Sequence, residues 1–163
     1  MHLLLLGVSH KTAPVDVRER LDFSSRDLGA AVEALATRPS AAESVVLSTC
    51  NRSEVYVACE NPAQARDEII QFLSQYHSLS ADSFSPHLFS LDDDAAAKHL
   101  FRVAAGLDSL VVGEPQILGQ VKDAFETASV PLPSIGTVIS ATVPSSLTST
   151  VIGSCMRPVA TAR

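Results

Sequence analysis

Cys50 closes an apolar run and stands two residues before Arg52. A guanidinium near a thiol favours the thiolate, the form that attacks a carbonyl carbon. The same position also suits a small core residue, because free cysteine is among the most buried side chains. Cys59, inside the next apolar run with only Glu60 charged beside it, reads as core. In Thr49-Cys50-Asn51-Arg52-Ser53-Glu54 polar groups crowd a turn. Such a turn is either a loop that reads a ligand, with the Arg52 fork gripping a carboxylate, or a solvated hairpin end with a surface ion pair. His99 shares a helical face with Ala96 and Val103 and is half turned toward the core. There it either packs through a hydrogen bond or takes part in proton transfer.

A second polar segment runs from Gly106 to Gln120. It places two glycines, Asp108, Ser109, Glu114 and Gln116 between two helices and ends at a helix N-terminus, where amides and dipole favour an anion. Gln116 and Gln120 are four apart and project from one helical face. Asp92-Asp93-Asp94 lacks the spacing of a calcium loop and reads as a helix cap. The three cysteines, Cys50, Cys59 and Cys155, cannot all pair within one chain, and no Cys-x-x-Cys occurs. A disulfide scaffold and a four-ligand zinc site are therefore not expected.

The elements that position these groups follow from periodicity. Residues 3–9 read as a buried first strand, too short in their apolar part for a signal peptide or a membrane span. Pro14 with Val15, Val17 and Leu21 opens a short helix, and Ser24, Ser25 and Asp27 open another with Leu28, Ala31, Val32 and Leu35 on one face. Residues 44–49 and 54–59 are β-rich runs around a tight connection. A helix starts at Pro62 and runs to about Tyr76, a strand lies near 87–91, and a helix follows through Ala96, His99, Leu100 and Val103. The last begins near Pro115 and runs through Ile117, Val121, Ala124 and Phe125. Strand, helix, strand, strand, helix, strand is the ferredoxin-like split βαβ pattern. The expected class is α+β, an antiparallel sheet with helices on one face and additional C-terminal helices. Neither a Gly-x-Gly-x-x-Gly turn nor a P-loop occurs, so no nucleotide fingerprint is present.

The chain has 163 residues, 46% hydrophobic, and a net charge of −6. All 18 acidic residues lie at or before Glu126, whereas residues 130–163 carry only Arg157 and Arg163 as charges. This divides the chain into an acidic head, 1–128, and a Ser/Thr/Pro-rich tail, 129–163, with no assigned domain and the character of a poorly ordered extension. An acidic head without Trp argues against nucleic-acid binding by bulk positive charge or by an aromatic platform, while leaving room for a local basic patch. Reduced cysteines and no export signal point to the cytoplasm.

Three motifs then coincide. Gly7-Val8-Ser9-His10-Lys11-Thr12-Ala13-Pro14, Ser48-Thr49-Cys50-Asn51-Arg52-Ser53-Glu54 and Gly113-Glu114-Pro115-Gln116-Ile117-Leu118-Gly119-Gln120 occur in this order. Together they resemble the N-terminal catalytic domain of glutamyl-tRNA reductase, the enzyme that opens the five-carbon route to tetrapyrroles and porphyrins. The resemblance implies that Cys50 is the nucleophile that takes glutamate from glutamyl-tRNA as a thioester, and that His99 is catalytic beside the reacting ester. It further implies that Arg52 grips a substrate carboxylate and that Thr49, Asn51, Ser109, Glu114, Pro115, Gln116 and Gln120 line the glutamate pocket. NADPH is the family's hydride source, glutamate-1-semialdehyde its product, and the aminomutase acting on that product a partner; the full-length family is homodimeric. The resemblance stops at about Ala128, and the expected NADPH domain does not follow. The tail looks like a truncated, spliced or frame-shifted end, which confines the expected activity to the thioester-forming half. The competing expectation is a fragment that holds glutamyl-tRNA or a partner without turnover. With an acidic head, tRNA binding is expected to be weak and salt-sensitive.

Overall fold

The computed structural model describes residues 1–23, 28–41, 43–109, 112–113 and 115–128. The residues 129–163, and with them Cys155, lie outside this range, as do Glu114 and the helix-opening Ser24, Ser25 and Asp27.

Strand β1 (His2–Ser9) leads into α1 (Val15–Arg20) and α2 (Leu28–Ala36). The hairpin β2 (Glu43–Thr49) and β3 (Arg52–Cys59) precedes α3 (Pro62–His77). Two short 3-10 turns, Ala81–Ser83 and Ser85–His87, bring the chain to β4 (Phe89–Asp92), and α4 (Asp93–Ala104) and α5 (Gln116–Ala128) follow. The strand order is β2-β3-β1-β4, and every neighbouring pair is antiparallel. This is the split βαβ order, with β3 inserted between β1 and β2.

The expectation of helices on one face is corrected. Alternation along the strands sends Leu4, Leu6, Val8, Val46, Val55 and Val57 into a core with residues of α1, α2 and α3. Leu5, Leu47 and Tyr56 point the other way, into a second core with Ala96 and Val103 of α4 and Ile117 and Ala124 of α5. The two C-terminal helices therefore cover the opposite face, and both faces of the sheet are closed. β1 can serve both because Leu3 to Leu6 is apolar without interruption, as a strand buried on both sides must be.

Local signals hold where side chains reach backbone. The Asn61 side-chain Oδ1 accepts from the Ala63 and Gln64 amides, Pro62 occupies the first turn of α3, and Ser78 ends that helix in the left-handed region at φ 56°. The aspartate run departs from its expected role as a cap. Asp92 takes the cap position of α4 without a side-chain capping bond. Asp93, at φ 48°, instead accepts from the Leu3 amide at 3.0 Å and pairs with His2 at 2.9 Å. These bonds hold its carboxyl below the ordinary aspartate value. The run thus ties α4 to the first strand. On α5 Ile117 and Ala124 are buried, whereas Phe125 is 43% exposed. His87, expected in the strand, belongs to the turn before β4.

Candidate active site

Antiparallel pairing of Thr49 with Arg52 leaves Cys50 and Asn51 as a two-residue hairpin turn. Two-residue turns that match strand twist need positive φ, yet neither residue is left-handed. The turn is instead fastened from outside. Arg18 of α1 donates from Nη1 to the Cys50 carbonyl at 2.7 Å and to Asn51 Oδ1 at 3.3 Å. The His10 amide donates to the Asn51 carbonyl at 2.8 Å, and the Asn51 amide donates to Thr49 Oγ1 at 3.2 Å. Cys50 is exposed, so the reading of it as a core residue is overturned. Cys59 is buried as expected, and burial pushes its thiol up.

Behind the turn, on the α4 and α5 side of the sheet, lies a buried charge cluster. Arg52 is 1% exposed and Glu54 0%. The solvated surface ion pair is therefore not what forms here. Arg52 Nη1 donates to Glu54 Oε1 at 2.8 Å, and Nη2 donates to the Asp108 carbonyl at 2.5 Å, with the Asp108 carboxylate 3.6 Å away. His99 Nε2 lies 2.9 Å from the same Glu54 Oε1 and 3.5 Å from Arg52 Nη1. The Tyr56 hydroxyl donates to Glu54 Oε2 at 2.8 Å, and burial, with the Glu54 charge, pushes that phenol well above its ordinary range. The His99 ring also packs against Phe89, with centroids 5.4 Å apart.

Gly7 makes room for this cluster. It pairs in register with Glu54 on one side and Phe89 on the other, both of which His99 touches. A Cβ on Gly7 would lie 2.5 Å from the Ser53 carbonyl oxygen and 2.8 Å from Glu54 Cα. Lys11, from the same motif, pairs with the Asp108 carboxylate. Burial works to raise the Asp108 carboxyl, but Lys11 and Arg52 outweigh it and hold the group below its ordinary value. His10 is lowered by burial first and then by Arg52 and Lys11, which keeps its imidazole neutral around neutral pH. After α4, Gly106 and Gly113 both take positive φ, and the Gly113 amide donates to the Gly106 carbonyl at 3.0 Å, closing the loop that carries Asp108 and Ser109.

Of the sequence-predicted residues, Arg52 and His99 meet directly, and Asp108 brings Ser109 to them. Thr49 faces the same side of the sheet and is buried, while Cys50 and Asn51 form the adjoining turn. The Ser109 hydroxyl and His10 Nδ1 are buried and find no hydrogen-bond partner among the described residues. Pro115, Gln116 and Gln120 are exposed at the start of α5, and no hydrogen bond among the described residues joins them to the cluster. The sequence reading did not select Arg18, Lys11, Glu54, Tyr56 or Asp108 as site residues. Lys11 and Glu54 lay within quoted motifs, and Asp108 beside Ser109; Arg18 and Tyr56 had no signal, because their partners are distant in sequence or on the hidden side of a strand. Among the described residues no group of histidine, cysteine and carboxylate side chains has the arrangement of a metal site, and no helix is long and apolar enough to cross a membrane.

Comparison with known proteins gives a concordant result. The profile of the glutamyl-tRNA reductase N-terminal domain matches residues 6–148. The glutamyl-tRNA reductase of Syntrophotalea carbinolica is 47% identical over 128 residues, which cover 78% of this chain and 29% of that protein. The enzyme of the same name from Geobacillus kaustophilus is 48% identical over 125 residues, covering 77% and 28%. The chain thus spans less than a third of the length of these relatives. Among solved structures, glutamyl-tRNA reductase from Methanopyrus kandleri superposes with a TM-score of 0.59 at 33% identity, over 77% of this chain and 28% of that one.

Proposed function

We propose, from the premise that the chain belongs to the family of glutamyl-tRNA reductase N-terminal domains, that it performs acyl transfer from glutamyl-tRNA to Cys50. The observation that carries this reading is placement: an exposed thiol on a hairpin turn pinned by Arg18 and His10, adjoining the buried Arg52, Glu54 and His99 cluster. The thiolate sulfur of Cys50 attacks the carbonyl carbon of the ester that joins glutamate to the terminal ribose. The ester C–O bond breaks, the ribose oxygen takes up the proton that the Cys50 thiol gave to His99, and a glutamyl thioester remains on Sγ. His99 handles the proton beside the ester.

Arg52 supplies the positive charge that draws a substrate carboxylate. Its Nη2 already faces the Asp108 carboxylate at 3.6 Å, too long for a hydrogen bond, and a substrate carboxylate takes that place by displacing Asp108. The unpartnered Ser109 hydroxyl is a further contact for the glutamate, with Thr49 and Asn51 at the turn and Pro115, Gln116 and Gln120 at the start of α5 completing the pocket. A dinucleotide does not fit the described residues. The sheet is antiparallel throughout and has no glycine-rich turn between a strand and a helix N-terminus, so no step is assigned to NADPH and the reaction proposed here ends at the thioester.

Intact-mass spectrometry after mixing with glutamyl-tRNA tests the reading. One glutamyl adduct is expected, mapped to the peptide bearing Cys50, labile to hydroxylamine and lost in Cys50→Ser. An unmodified wild-type chain, or an adduct that persists in Cys50→Ser, ends the proposal; tRNA retention by Cys50→Ser without acylation of the wild type would leave a binding fragment instead.

A further inference from the structure

To handle a proton at the ester, His99 must carry its own proton on a defined nitrogen. A neutral imidazole relays a proton only when one nitrogen is protonated and the other bare, and the partner of the protonated nitrogen decides which is which. Glu54 is fully buried and makes three close contacts: Arg52 Nη1 and His99 Nε2 at one oxygen, the Tyr56 hydroxyl at the other. A carboxylate so enclosed is an acceptor only, so the His99 nitrogen 2.9 Å from it must be the donor. Arg52 Nη1, a donor only, also lies 3.5 Å from this nitrogen and would need an acceptor there, but it already donates to Glu54 Oε1 at 2.8 Å, so the closer carboxylate decides the role of Nε2. The lone pair is thereby placed on Nδ1.

We infer that Glu54 is the positioning residue of this site, fixing His99 as the Nε2–H tautomer with Nδ1 bare to accept a proton, and that Tyr56 holds Glu54 in place from its second oxygen. Arg52 neutralises the carboxylate, so Glu54 orients the ring without requiring it to be charged. The absence of a side chain at Gly7 is part of the arrangement, since a Cβ there would meet Glu54 Cγ at 3.0 Å. The adjacent Phe89 ring limits rotation of the imidazole out of this contact.

The inference rests on the acyl-transfer reading for its consequence but not for its test. Two-bond proton–nitrogen correlation spectra of the chain labelled with 15N at histidine report the tautomer directly, with His99→Gln used to assign the resonance. Across a pH series, the neutral ring of His99 is expected as the Nε2–H form. Tyr56→Phe removes one donor while keeping the ring volume. It is expected to broaden the tautomer population toward a mixture and to slow Cys50 acylation by about tenfold. Glu54→Gln is expected to do both more strongly, with a displaced pH profile of acylation. An Nδ1–H tautomer in the wild type, or an unchanged tautomer together with an unchanged pH profile in both variants, overturns the inference. If the wild type shows no acylation, the functional reading fails while the spectra still decide the position of the proton.

Discussion

At the scale of single residues, the site depends on buried charges that neutralise one another. Arg52 is enclosed by the Glu54 carboxylate and by Asp108, at 1% exposure. Removing one partner of such a group leaves the other charged, buried and unpaired, at a cost of about 3–5 kcal/mol. Arg52→Ala should therefore lower the urea-unfolding free energy by that order, far more than loss of a surface cation would. Arg52→Lys should recover little of it, because an ammonium cannot donate to Glu54 and to the Asp108 carbonyl with one planar fork. The sequence marked Arg52 as important but misjudged its surroundings. A polar hexapeptide at a strand end looks solvated, and only the packing of α4 and its following loop over that end excludes water from it.

At the scale of elements, the closeness of β1 to β3 is set by Gly7. A methyl group there would stand 2.5 Å from a backbone oxygen and 2.8 Å from a backbone carbon, neither of which can rotate away. Gly7→Ala should cost about 1–3 kcal/mol by overpacking, read as a lowered Tm, and should slow Cys50 acylation beyond what the residual folded fraction explains, because Glu54 moves with its strand. The strand and helix types were legible from alternation and from Pro62 and Pro14. What was not legible was the side of the sheet. The split βαβ pattern accounts for the helices that cross between strands, and α4 and α5 come after the last strand, so pattern alone places them on neither face. The continuous apolar run Leu3 to Leu6 in β1 carried the missing information, since a strand with one wet face would alternate.

At the scale of the molecule, three segments far apart in sequence are joined at one point: Lys11 after β1, Arg52 after the hairpin turn, and Asp108 after α4. Asp108 is held below its ordinary value of 3.8, so its contribution is complete above that value and is lost as pH falls through the lower folded value. Lys11 is half exposed, which limits the pair to about 1 kcal/mol or less. Lys11→Met should accordingly lose that amount at neutral pH and converge with the wild type in strong acid, as measured by urea unfolding across a pH series. The two-residue turn between β2 and β3 has a consequence of another kind. With Thr49 and Arg52 already paired, the ladder counts out the location of the thiol one residue at a time, as teeth on a ratchet. Lengthening the turn cannot nudge Cys50 by a fraction of an ångström; it skips a tooth, releases the grip of Arg18 and His10, and parts the sulfur from the charges behind it. The nucleophile of this scaffold is thus adjustable only in whole steps, and a redesign that seeks to re-aim it must alter the clamps and leave the turn alone.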